Sequence, residues 1–397
     1  MFNLKPLTVL GWLLLLAILT SLNAGCSPSG QRVDAVPEPE LTVAERLQAV
    51  LDQAVADGLP GVALAIMGDD ISFTGVAGLA DVASAAPLTD NHRFYLASIG
   101  KTYTSVAFVR LAADGLLRLD DPITDWLPDS ITDRIPFADA ITVRSLLNHT
   151  SGIFDYQNDG DDGAEWEAAF IPEPARQWMN TDVLPFFLDQ PLNFEPHSDY
   201  RYSNSNYVLA ALIAEAATGL SIQDVIRYYV LDPLELQNTL HGFDAVGIPG
   251  LAHGYFRYEG ELVDIHPWYS HYGIGDGGIQ SSVTDLAMFA HGIFTSDAVL
   301  DDGLRAEFLE PSNAGDPASM VGLGIEVIRG ETPDVVIYAS GGRDPGARAD
   351  LIHLQAAEQS ITIALCASAA FDEFDILYDN FTQAVFDVLG DAGEQAQ

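Results

Sequence analysis

The sequence predicts an α/β fold: an antiparallel sheet built from both chain ends, flanked by helices, with an inserted mainly helical lobe. Three observations carry this. Short apolar segments of strand length cluster towards the two ends. The segments outside them have apolar residues at helical spacing. The stretch from about residue 116 to 254 is helical and loop-rich, with many Pro and Gly. In chain order, residues 41–56 carry Leu41, Ala44, Leu47, Val50, Leu51 and Val55 on one helical face, and Gly58 ends the run. Residues 61–67 read as a strand, Gly68-Asp69-Asp70 as a tight turn, and 71–76 as the returning strand of a hairpin. Residues 322–328, 335–339, 349–354 and 361–366 are further strands, and 374–389 is a terminal helix. Covering the sheet with the terminal helices and setting the helical lobe beside it is the simplest layered solution.

The beginning of the chain reads as an address. Lys5 precedes a thirteen-residue apolar run, residues 7–19, and then small polar residues, the order of a secretory signal peptide. Leu22-Asn23-Ala24-Gly25-Cys26 resembles the bacterial lipoprotein processing site, with Asn23 where an apolar residue is usual. The expected organisation is therefore a lipoprotein-type signal peptide over 1–25 and Cys26 as the lipidated first mature residue. A Pro- and Ser-rich tether over 27–40 and a folded domain over 41–397 follow. That places the protein outside the cytoplasm, held to a membrane by its lipid.

The chain has 397 residues, with 57 Asp plus Glu against 17 Lys plus Arg, for a net charge of −40. Nucleic-acid binding is excluded, because phosphate contacts need basic residues. So many carboxylates repel one another unless salt screens them, which suits a salty external medium. The two cysteines are Cys26 and Cys366, and Cys366, in an apolar run, reads as a buried core thiol.

Beyond the leader there is one lysine, Lys101. Ser98 lies three residues before it, and the apolar periodicity of Tyr103, Val106, Ala107, Val109 and Leu111 continues the same helix. Ser98 and Lys101 therefore share a helix face near its start. A serine hydroxyl is a poor nucleophile until a base takes its proton, and a buried lysine can be that base. The plain alternative is a helix cap beside a surface lysine. A second cluster is Tyr202 and Asn204, two apart on a loop before the helix at 208–217. Both could enter a cleft, Tyr202 as a proton relay and Asn204 holding the lysine amine. The alternative is a loop aromatic and a cap.

Together these motifs make the chain similar to the serine beta-lactamase and penicillin-binding-protein superfamily. The branch resembled holds class C beta-lactamases and D-alanyl-D-alanine carboxypeptidases of the S12 type. Asp114 to Pro122, the stretch Ile141 to Ile153 with Leu146-Leu147-Asn148-His149-Thr150-Ser151-Gly152, and Gly277 to Leu286 carry the likeness further. The resemblance implies a beta-lactamase/transpeptidase-like fold. It implies Ser98 as the acylated nucleophile, Lys101 as its base, Tyr202 as relay, and Asn204 at the lysine and substrate. His149 reads as packing of its loop.

The family's third motif falls on Ser340, Gly341, Gly342 and Arg343, with Ser340 where His or Lys usually stands. The resemblance implies an oxyanion hole from the backbone N–H groups of Ser98 and Arg343. Ser340 to Arg343 and Arg348 are the expected substrate contacts, an arginine replacing the missing cation. No metal is expected: His266, His271 and Asp276 read as a wall of the cleft, and Asp159 to Gly163 as a solvated acidic loop. The expected activity is an exported, cofactor-free serine hydrolase acting on a small-molecule or short-peptide acyl donor, D-Ala-D-Ala carboxypeptidase-like or a related small-peptide hydrolase. A carboxylesterase, a beta-lactamase and a non-catalytic cell-surface binding protein are the alternatives.

Overall fold

The computed structural model describes residues 41–160, 163–170, 172–173, 176–242, 248–258, 260–266, 274–312, 319–329, 335–356 and 359–395. The expected signal peptide, the Cys26 lipidation site, the tether and His271 lie outside the described residues.

Helix α1 spans Val43–Asp57 and opens on a capping box between Thr42 and Glu45. Strands β1 (Gly61–Gly68), β2 (Ser72–Asp81) and β3 (Ala86–Pro87) follow. Helix α2 (Gly100–Ala113), α3 (Asn204–Thr218) and α4 (Val283–Thr295) lie in the middle of the chain. Strands β4 (Ser319–Val321), β5 (Glu326–Arg329), β6 (Val336–Asp344), β7 (Ala347–Ala356) and β8 (Gln359–Ala367) lead to helix α5 (Glu373–Gln395). The main sheet is antiparallel, in the order β3-β2-β1-β8-β7-β6-β5-β4. The two chain ends meet at β1 and β8, where Leu64 faces Leu365. This is the sheet from both ends that the sequence predicts.

Two apolar layers cover it. On one face Leu47 and Leu51 of α1 and Phe374, Tyr378 and Phe381 of α5 pack on Leu64, Ile352 and Ile363. On the other, α2 and α4 join the core of the helical lobe, and Cys366 is buried there as a free thiol. Helix α2 is buried all round from Gly100 to Val109, as a helix between a sheet and a lobe must be. A small sheet pairs Phe94–Tyr95 and Thr239–His241 with Ile279–Ser281, tying the chain before Ser98 to the chain after Asp276.

One expected strand is shorter than its expected range. Of the expected 322–328 only 326–328 lie in a strand, and residues 322–325 form the turn between β4 and β5, where Gly324 takes φ +66°. A Cβ there would stand 2.5 Å from the Tyr207 hydroxyl, so only glycine fits.

The sheet also corrects the expectation for Arg343 and Arg348. Side chains alternate along a strand, so Arg343, three residues beyond Ser340, points to the opposite face. Arg348 stands directly across from Arg343 and shares that face. There α5 supplies their partners. Arg343 forms a bidentate pair with Asp375, Nε at 3.2 Å from Oδ1. Arg348 reaches Asp375 at 3.4 Å and Asp379 at 3.4 Å. The guanidiniums fasten α5 to the sheet and do not line the cleft that holds Ser98.

Because both arginines share Asp375, the two contacts are coupled. A double-mutant cycle of Arg343→Ala and Asp375→Ala, read by urea denaturation, should show single losses of roughly 1–3 kcal/mol that do not add. Strict additivity would mean that the pair is solvated and idle.

Candidate active site

Ser98 sits in a 3-10 turn, Ala97–Ile99, immediately before α2. Ala97 takes φ +47°, an uncommon angle for a residue with a Cβ. The turn is held from two sides. Gly100 lies against Gly277, where a Cβ would be 2.8 Å from the Gly277 carbonyl oxygen. Gly342 of β6 lies against Leu96, where a Cβ would be 2.0 Å from its carbonyl oxygen. Beyond Ala339, β6 keeps β7 on one side but has no β5 partner on the other, and this open stretch packs beside the Ser98 turn.

The predicted residues Ser98, Lys101 and Tyr202 come together. Lys101 Nζ is 3.0 Å from Ser98 Oγ, and Ser98 Oγ is 2.7 Å from the Tyr202 hydroxyl. Tyr202 donates to Asn204 Oδ1 at 3.3 Å. Lys101 also donates to the backbone carbonyl of Asp276 at 2.5 Å and lies over the Tyr202 ring at 5.1 Å. Asn204 differs from expectation. Its amide nitrogen donates to both oxygens of Asp155, at 3.2 and 3.3 Å, and the Asp276 carbonyl stands where the lysine contact was expected.

Burial sets the protonation states. Lys101 is 3% exposed, and burial pushes its pKa down, since a desolvated ammonium is disfavoured. The carboxyls of Asp276, Asp155 and Asp344 oppose that shift. Those acids are themselves displaced. Burial raises Asp155 to about 6, against hydrogen bonds from Asn158, Gln157 and Asn204. Burial, with the Asp276 charge beside it, raises Asp344 to about 7. Burial also raises Asp276, which accepts a hydrogen bond from Tyr156 at 2.7 Å. Tyr202 is pushed well above the ordinary phenol range by burial, so it is a neutral donor.

His149 fits its packing role. Burial, then the Lys101 charge, lowers its pKa to about 3, so it is neutral. Its Nδ1 accepts from the Ser203 N–H at 3.1 Å, and its ring lies 4.5 Å from that of Tyr202. Ser340 lines the same cleft, with its hydroxyl 2.8 Å from that of Thr102. Asp159 is no solvated loop acid. It is buried, accepts from the Asp155 N–H and Asn193, and pairs with Arg201.

Asp155, Tyr156, Asp344, Tyr200 and Glu326 were not singled out as site residues, and Asp276 only as part of a loop wall. Apart from the neighbours Asp155 and Tyr156, they come from separate stretches that no local spacing joins. Among the described residues, the His and Asp side chains close enough to share a cation are Asp81, His253 and Asp264. His253 Nδ1 lies 2.8 Å from Asp264, a direct hydrogen bond, and backbone N–H groups of Ala83 and His266 occupy the two aspartates.

Comparison with known proteins agrees with this architecture. The family model "Beta-lactamase" matches residues 47–370. Penicillin-binding protein 4* of Bacillus subtilis (strain 168) is 31% identical over 253 residues, 60% of this chain and 53% of that protein. Esterase EstB of Burkholderia gladioli is 31% identical over 229 residues, 54% of each. The chain thus spans about half the length of these curated relatives. The crystal structure of D-amino acid amidase from Ochrobactrum anthropi SV3, complexed with L-phenylalanine, superposes with a TM-score of 0.72 at 25% identity, covering 89% of this chain and 99% of that one. The chain belongs to the beta-lactamase family.

The buried acids make stability depend on pH. Asp155 keeps its proton up to about pH 6 when folded and to about 3.8 when unfolded. The folded chain therefore binds the extra proton, and this contribution, on the order of 2–3 kcal/mol, is full below about pH 4 and lost as pH rises through 6. Asp155→Asn should flatten the change in urea midpoint between pH 4 and 7, whatever its effect on the absolute midpoint. An unchanged slope would show that Asp155 titrates as a solvated acid.

Proposed function

We propose that this chain is a serine hydrolase that cleaves an amide or ester through an acyl-enzyme on Ser98. The observation that carries this reading is the unbroken contact from the Lys101 amine through the Ser98 hydroxyl to the Tyr202 phenol. In it Lys101 enters as the neutral amine, the form burial favours. It takes the Ser98 proton as Oγ attacks the carbonyl carbon. The backbone N–H groups of Ser98 and Arg343 hold the developing oxyanion, a role that needs neither side chain of Arg343 nor a cation. Tyr202 gives its proton to the departing nitrogen or oxygen and recovers one from Lys101. A water then yields a proton to this pair, attacks the acyl ester, and Ser98 leaves with its proton restored. The sum is one acyl donor and one water giving a carboxylic acid and the protonated leaving group, with no cofactor.

Within this chemistry we favour a small amide or ester whose leaving group carries no carboxylate. Both a D-Ala-D-Ala carboxypeptidase and a beta-lactamase act on substrates that present one. Here Ser340 brings no cation, and Arg343 and Arg348 are engaged with α5. The relatives include an esterase and a D-amino acid amidase, which fits an uncharged leaving side. The non-catalytic reading rests on Ser340 alone, and the Lys101–Ser98 contact counts against it. The lipoprotein-type leader, if processed at Cys26, puts this activity outside the cytoplasm.

The test is intact-mass analysis after incubation with a fluorophosphonate and with an activated short-chain ester, at high salt. Wild type should gain the mass of one adduct and Ser98→Ala none. Tyr202→Phe should load roughly 10²–10⁴-fold more slowly. Folded wild type that stays unmodified would remove the hydrolase reading.

A further inference from the structure

Asp155 is 1% exposed, and the groups that meet its carboxyl are donors. The Gln157 N–H donates to Oδ1 at 3.1 Å, the Asn158 amide to Oδ2 at 2.6 Å, and the Asn204 amide to both oxygens. A carboxylate accepts at both oxygens, whereas a proton on either one would face an N–H group. The ionised acid is the form that this cage fits.

The cage is fastened to the segment above it. The Asp155 N–H donates to Asp159 at 2.8 Å, and Asp159 pairs with Arg201, one residue before Tyr202. The Tyr156 N–H donates to the Ser205 hydroxyl at 3.2 Å, one residue after Asn204. Asp155 is therefore tied to the chain on both sides of Tyr202 and Asn204.

These contacts set the sense of the Asn204 amide. Turned over, its carbonyl oxygen would face both oxygens of Asp155, acceptor against acceptor in a buried place. With its nitrogen held by Asp155, the amide presents Oδ1 to the Tyr202 hydroxyl at 3.3 Å. A phenol can donate to that carbonyl, and a phenolate would be repelled by it. Burial already keeps Tyr202 protonated, and the charge of Asp155 works in the same direction.

We propose that Asp155 is a positioning residue that, by fixing the Asn204 amide, holds Tyr202 as a proton donor, so that Tyr202 is the acid on the leaving group and Lys101 keeps the role of base. The step it supports is expulsion. The bond from the carbonyl carbon to the leaving atom breaks, that atom takes the Tyr202 proton, and Lys101 passes to Tyr202 the proton it received from Ser98. This role rests on the hydrolase reading of the same site, and Asp155 itself lies outside the lining of the cleft.

The experiment measures covalent labelling rates by intact mass at pH 8, above the range in which Asp155 holds a proton. The reagents are three ethylphosphonates that differ only in the leaving group: fluoride, p-nitrophenoxide and phenoxide. The first two depart readily without a proton, and phenoxide gains most from one. Wild type should be labelled by all three. Asp155→Asn keeps the shape but can offer Asn204 a donor in place of an acceptor. It should raise the ratio of p-nitrophenoxide to phenoxide rates by about tenfold or more, as loss of an oriented acid requires. Tyr202→Phe and Asn204→Ala should raise the same ratio. Asp155→Asn added to Asn204→Ala should raise it no further, because the two residues act in series. An Asp155→Asn variant that slows all three reagents equally, the mark of a merely structural residue, overturns the proposal. So does a further rise in the double variant. An unchanged ratio in Asn204→Ala or Tyr202→Phe overturns it too, whether or not Asp155→Asn folds. If wild type takes the fluoride reagent and not the phenoxide one, the acid is missing and only this proposal falls. If no reagent labels wild type, the hydrolase reading falls and this role with it.

Discussion

The rest of the site depends on one buried amine. Lys101 is desolvated, which favours its neutral form, yet it lies among the carboxyls of Asp155, Asp276 and Asp344. Alone, three full negative charges would hold the ammonium firmly in place. The same burial that strips water from the lysine strips it from the acids and raises their pKa values. Desolvation therefore weakens both sides of the ion cluster at once. The result is a coupled group that can share a small number of protons rather than a fixed salt bridge.

The fold is arranged to produce that burial. Helix α2 carries Lys101 between the sheet and the helical lobe and is covered on all sides. The Ser98 turn is fixed by two backbone approaches that tolerate no side chain, at Gly277 against Gly100 and at Leu96 against Gly342. The serine is thus placed by contacts far apart in the chain. Its hydroxyl meets the lysine through three residues of local spacing and the tyrosine through a separation of 104.

That difference in range explains what could be read from the sequence. The Ser98–Lys101 pair is legible because a helix sets it, and the strands at both ends because alternation and length set them. The acids around Lys101 are not legible, since Asp155 and Asp276 lie on different loops and Asp344 ends β6, and only the closed fold brings them within reach. Nor is the Asn204–Asp155 contact, which replaces the expected one to lysine. The assignment of Arg343 and Arg348 to substrate failed for a local reason. It filled a missing charge by proximity along the chain and ignored that an odd spacing from Ser340 changes the face of the strand. The late start of the strand expected at 322–328 turned on a glycine at positive φ, which apolar patterning does not register.

Strand β6 consequently keeps chemistry and charge apart. One of its faces and its open edge lie beside the Ser98 turn, where Ser340 and Gly342 allow close approach without a cation. Its other face holds Arg343, fastened with Arg348 to α5 by a shared aspartate. In a chain so short of cations, those two guanidiniums stabilise the sheet–helix contact, and a substrate anion would have to compete with Asp375 for them. Displacing either guanidinium would leave a partly buried carboxylate without its partner, which is costly. The cations of this strand and its neighbour are thus committed to the fold, on the face away from Ser340.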